Sequence, residues 1–90
     1  MSRKRDLHIV EASEFVTIGE LVRLTGSRYS TLKYYTEEGM IPFLQEEENL
    51  TRKYKRVEAT ERIEQIKMLK TEGKTIPEIK EFLQLIVNNL

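Results

Sequence analysis

Apolar positions recur at helical spacing in four stretches of the chain, and a fifth stretch alternates instead. The sharpest helical pattern lies in "TIGELVRLTGS", where Ile18, Leu21, Val22 and Leu24 form one stripe of about two turns. Thr17 followed three residues later by Glu20 is a capping box, and Gly26 can close the helix in the left-handed region. A second helix is expected from Ser27 or Arg28 through "YSTLKYYTEE" to Gly39, the next glycine stop. Leu32 and Tyr35 sit three apart and share its inner face, with Tyr29 nearby. Neighbouring side chains on a helix diverge by about 100°, so Tyr34 cannot enter the pocket that takes Tyr35. Arg28, Thr31, Lys33 and Tyr34 are left for solvent or a ligand.

In "MIPFLQEEENLTRKYKRVE" the pattern changes. Pro42 forbids helix continuation, Phe43 and Leu44 suit a strand, and "LTRKY" alternates back behind a polar tip at Glu46 to Asn49. A small hairpin is the expected result. From Val57 to Glu72 a longer helix carries Ala59, Ile63, Ile66 and either Leu69 or Lys70 inward, with Met68 at the edge, and Gly73 ends it. A second capping box, Thr75 with Glu78, opens the last helix. Its stripe is Ile79, Phe82, Leu83, Ile86 and Leu90, while Leu85 and Val87 widen the apolar surface beyond it. Residues 1–14 mix charge with a short apolar patch at Leu7, Ile9 and Val10, which could alternate as a short strand. A flexible N-terminal arm is expected there.

The predicted class is mainly α, with two short helices joined by a glycine turn, a small two-stranded β wing and two C-terminal helices: a winged helix-turn-helix. Ninety residues suffice for one domain, here residues 15–90. The chain has no cysteine, which excludes disulfides, thiolate metal sites and thiol redox sensing. Its single histidine, His8, lies in a polar N-terminus without ligand spacing around it and is expected to be solvated. With so little acid–base and nucleophilic chemistry gathered together, an enzyme is not expected, and no cofactor is implied. No run of about 18 apolar residues exists, and no apolar stretch follows the N-terminal charges as in a secretory signal. A cytoplasmic location is therefore expected.

Formal net charge is zero, yet the charges are not evenly spread. Arg52, Lys53, Lys55 and Arg56 fall within a segment free of acids, and Arg23, Arg28 and Lys33 belong to the two short helices. Acids gather later, at Glu58, Glu61, Glu64, Glu72, Glu78 and Glu81. One basic face on the N-terminal two thirds is the expected outcome, against the alternative that these are ordinary solvated charges.

Taken in order, "IGELVRLTG", "TLKYY" with "GMI" and Pro42, "RKY", and "LKTEGKTIPEIKEFL" resemble the DNA-binding domain of the MerR family of transcription regulators, from about Val16 to Leu83. Lys33 stands where that family has the arginine of T-L-R-Y-Y, and Leu50 and Thr51 replace the wing's usual G-Y. The stretch from Tyr54 to Gly73 is about one residue longer than usual. The family's effector domain and its sensing cysteines have no counterpart in these residues, so no small-molecule effector site is expected.

The resemblance implies sequence-specific binding of double-stranded DNA. The helix at about 28–38 would enter the major groove and the wing at about 43–54 would lie on the backbone. Implied DNA contacts are Thr17, Arg28, Tyr29, Ser30, Thr31, Lys33, Tyr34, Arg52, Lys53, Tyr54 and Lys55. Tyr34 could instead be an exposed ring packed on the wing, and Tyr54 could be core. A homodimer or an array on DNA is expected, with Leu85, Ile86, Val87 and Leu90 as the contact, unless the last helix folds those residues onto its own core. Two other functions stay open: an architectural DNA binder of excisionase-like or plasmid-segregation type using the same module, and a protein-interaction module whose basic face meets an acidic partner.

Overall fold

The structure is a computed structural model that describes residues 4–47 and 50–88, the last three of these by their backbone. Five helices and two short strands follow one another: α1 (Leu7–Ala12), β1 (Phe15–Val16), α2 (Ile18–Thr25), α3 (Tyr29–Glu37), β2 (Tyr54–Lys55), α4 (Arg56–Thr71) and α5 (Ile76–Asn88). None of these helices is long and apolar enough to cross a membrane.

Local chemistry sets the helix ends. At α2 the Thr17 hydroxyl accepts from the Glu20 N–H at 3.2 Å, and the Glu20 carboxylate accepts from the Thr17 N–H at 2.9 Å. Gly26 then takes φ +72° and turns the chain into α3 within three residues. At the far end of α3, Gly39 has φ +75°. Its N–H donates to the Thr36 carbonyl, and the Met40 N–H donates to the Tyr35 carbonyl at 2.9 Å. This pair of bonds is a Schellman motif, and it occurs again at Gly73 behind α4. At α5, Thr75 and Glu78 form the expected second capping box.

α2 packs on α3 and on α4, and α4 also carries β2 and α5. The core lies among them and is filled by Leu21, Leu32, Tyr35, Ile41, Tyr54, Ile63, Ile66 and Ile79 with their neighbours. On α4 the inward stripe is Ala59, Ile63, Ile66 and Leu69, with Lys70 and Met68 outside. Tyr35 is buried and Tyr34 is 45 % exposed, so the adjacent tyrosines part as helix geometry requires.

Three features depart from the sequence reading. Residues 7–12 are helical where a free arm or strand is expected. Asp6 caps the N-terminus of α1 by accepting from the His8 N–H, and Val10 is fully buried in the core. The two-stranded antiparallel sheet pairs β1 with β2, Phe15 opposite Lys55 and Val16 opposite Tyr54. Among the described residues the expected hairpin strands meet at one bridge, Leu44 with Lys53, whose two backbone bonds measure 2.7 and 2.8 Å. Among the described side chains of α5, Ile79 and Leu83, four apart, are buried and Ile76 packs against the core, whereas Phe82 is 43 % exposed. Helical spacing had placed Phe82 in the stripe, but α4 covers a face too narrow to include it.

Candidate nucleic-acid interface

An open groove separates α3 from the loop that carries the Leu44–Lys53 bridge, and its lining includes Tyr29, Lys33 and Glu37 from the helix with Gln45, Thr51 and Arg52 from the loop. Ile18, in the N-terminal turn of α2, also lines it. The bridge explains why Arg52 faces inward. Antiparallel alternation places Phe43, Gln45, Arg52 and Tyr54 on one face of the loop and Leu44 and Lys53 on the other. Lys53 accordingly lines a separate hollow with Phe15, Leu44 and Leu50. Lys55, on β2, is exposed beside Glu58 and does not line the groove.

The structure also sorts the cations by what holds them. Arg23 donates to the Arg5 carbonyl at 2.7 Å, and Arg56 donates through Nε to the Ser13 carbonyl at 2.7 Å. Arg62 donates to the Met40 carbonyl at 3.0 Å, and Lys67 to the Thr25 carbonyl at 2.7 Å. Lys80 pairs with Glu38 at the end of α3. By contrast Arg28, Lys33 and Lys53 have no side-chain hydrogen bond or ion pair among the described residues, and each is exposed. Arg23 and Arg56, which the sequence assigns to a basic face, are thus tied to backbone carbonyls. Their partners lie 18 and 43 residues away, beyond what a local pattern reveals.

The remaining expected contacts fall into two groups. Arg28 caps α3 without a side-chain bond, Ser30 is exposed and Thr31 is half-buried, so the first turn of α3 presents polar groups outward. Tyr34 is exposed, and its ring leans on Tyr35 at 6.0 Å between centroids. Thr17 is half-buried, and its hydroxyl oxygen is engaged in the capping box. Tyr54 is a correction: it is fully buried, and its hydroxyl lies 2.9 Å from the Thr36 hydroxyl. Thr36 donates to the Leu32 carbonyl at 2.8 Å, so Tyr54 is the donor to Thr36. Its ring is core, and it supports the groove from beneath. Of the expected dimer contacts, Leu85 is 55 % exposed, the side chains of Ile86 and Val87 lie outside the description, and so does Leu90.

One charged cluster has no signal in the sequence. Arg5 grips the Glu20 carboxylate through Nε at 2.6 Å and Nη2 at 2.8 Å, and also reaches Ser13 and the Phe15 carbonyl. Glu20 is 8 % exposed. The Arg5 guanidinium, helped by the Thr17 N–H, holds its carboxyl far below the usual range, at about 2. This clamp fixes the N-terminal segment to the start of α2, beside the groove rather than inside it.

Comparison with curated proteins and with solved structures returns no match. Residues 16–86, spanning both helices of the turn, the groove and the two C-terminal helices, match the family described as MerR HTH family regulatory protein. That match covers most of the chain, and the chain belongs to this family of regulators that bind double-stranded DNA.

Proposed function

We propose that this chain is a sequence-specific transcriptional regulator that reads DNA with α3 in the major groove and grips the flanking backbone with the 43–54 loop as a wing. The observation that carries the reading is the groove with Lys33 on its helix wall and Arg52 on its loop wall. Lys33 has no partner within the described residues and so no internal interaction to break before it meets a phosphate. Arg28, Ser30 and Thr31 stand at the N-terminal end of α3, where base edges are met in helix-turn-helix proteins. The Tyr34 hydroxyl adds an uncharged phosphate contact. Phosphate contacts fix the register, and base contacts select the sequence.

Two cations set against phosphates, Lys33 and Arg52, give a salt slope of about −1.8 for one copy, at roughly −0.9 per phosphate. Such a module binds weakly alone, and two copies on paired half-sites would raise affinity steeply. Exposed Phe82 and Leu85 on α5 are the surface on which a second copy would sit.

Fluorescence anisotropy with labelled duplexes across a salt series tests this reading. Lys33→Ala and Arg52→Ala are each expected to make the slope shallower by about 0.9. No binding by the unaltered chain at about 50 mM salt would overturn the proposal.

A further inference from the structure

Arg52 carries the loop wall of the groove, and little in the loop's backbone holds it. Among the described residues of this loop, the backbone pairs at one bridge, Leu44 with Lys53. An arginine on such a support would sample many rotamers, and ordering it on a ligand would cost affinity. The side chains around it supply what the backbone lacks. The Arg52 guanidinium carbon lies 4.8 Å from the centroid of the Phe43 ring, over its face, within cation–π range. Phe43 is opposite Tyr54 across the bridge register, and their rings meet at 6.2 Å with a 49° tilt. Tyr54 is fully buried, and its hydroxyl donates to Thr36 on α3 at 2.9 Å. The contacts therefore run without a gap from the body of α3 through Thr36, Tyr54 and Phe43 to the Arg52 head.

We propose that Phe43 is a positioning residue: its ring presets the Arg52 guanidinium at a fixed distance from α3, so that helix and wing meet DNA as one rigid reader. The proposal rests on the DNA-binding reading above. Phe43 is not enclosed by the core: Tyr54 and the Arg52 guanidinium are its two ring contacts, and it keeps 37 % of its surface exposed.

A double-mutant cycle on DNA affinity tests the link, with Phe43→Ala, Arg52→Ala and the double variant, and with Phe43→Tyr and Phe43→Leu as controls. Thermal melts would establish that each variant is folded. Phe43→Ala is expected to weaken binding about three- to tenfold when Arg52 is present, the cost of one side chain left to be ordered on binding. In the Arg52→Ala background the same change is expected to have almost no effect. Tyrosine at position 43 should keep affinity, because it keeps the ring face; leucine should not. Relaxation of the arginine Nε–H groups supplies a reading that needs no DNA. Arg52 should be more ordered than Arg28 in the unaltered chain and should fall to the Arg28 level in Phe43→Ala. Equal losses in both backgrounds, full affinity in Phe43→Leu, or an Arg52 as mobile as Arg28 would each overturn the proposal. Failure of the unaltered chain to bind at all would overturn the DNA reading and this role with it. Binding with an additive cycle removes this role alone.

Discussion

Replacing Glu20 with glutamine separates two interactions that share one carboxylate. Glutamine can still accept from the Thr17 N–H and keep the capping box, but it cannot pair with the Arg5 guanidinium. The carboxyl titrates at about 2, against 4.5 ordinarily, chiefly because of the Arg5 hydrogen bonds. At about 1.36 kcal/mol per pH unit the full linkage is about 3 kcal/mol. The Arg5 side chain is 41 % exposed, so solvent screening lowers the expected contribution to about 1–2 kcal/mol. The sign follows from the lowered value. The stabilisation is complete above the unfolded carboxyl's range near 4.5 and disappears as pH falls toward about 2. Urea unfolding followed by circular dichroism, on both proteins at several pH values, measures the difference directly. Above about pH 6 the variant should be less stable by about 1–2 kcal/mol, and the two curves should converge between about pH 5 and pH 2. Other carboxylates titrate in both proteins and cancel in the difference. A gap that stays constant across that range would refute the ion-pair argument and assign the loss to the cap.

Tyr54→Phe removes the donor to Thr36 but leaves the Thr36 bond to the Leu32 carbonyl, so a loss of about 1 kcal/mol in chemical unfolding is expected. Gly39→Ala should cost about 1–2 kcal/mol even though open space surrounds the position, because the residue sits at φ +75°; melting temperature would record it. Phe82→Glu places a charge on the exposed face of α5. It should leave the monomer's stability within about 0.5 kcal/mol, and the pairing proposed through α5 requires that it remove any concentration-dependent association the unaltered chain shows in sedimentation.

The chain discloses its local instructions and conceals its distant ones. Thr17 with Glu20, and the glycines at 26 and 39, act within a turn of the helix, so the limits of α2 and α3 can be read directly. The split between Tyr34 and Tyr35 follows from the helical period alone. The partner of Tyr54 does not: alternation predicts a strand, and Phe43 is the nearest candidate in sequence. On its other side the ladder pairs Tyr54 with Val16, across a separation that no periodicity encodes. Lys33 and Arg52, which the sequence offers as DNA contacts, line one groove in the fold, although the groove itself has no signal in the sequence. Which cations stay unpaired has no such signal either, because that depends on carbonyls such as Ser13 and Met40 brought close only by the fold. The wide apolar surface of α5 has the same cause: spacing names the candidates, and the neighbouring helix chooses Leu83 over Phe82.

Lys67 and Arg62 project from one helix, α4, and each holds a carbonyl near the end of a different helix of the turn, Thr25 at the end of α2 and Met40 beyond α3. Beyond the direct packing of α2 on α3, those two helices are thus also braced from outside the turn, by groups remote from the outward face of α3. Arg28, Ser30 and Thr31 bear none of that burden. The consequence is modularity: residues in the first turn of α3 can be exchanged without disturbing the frame that presents them. A change of sequence preference would then require few substitutions and little compensating repair, whereas a peptide cut to the two helices alone would lose the geometry along with α4.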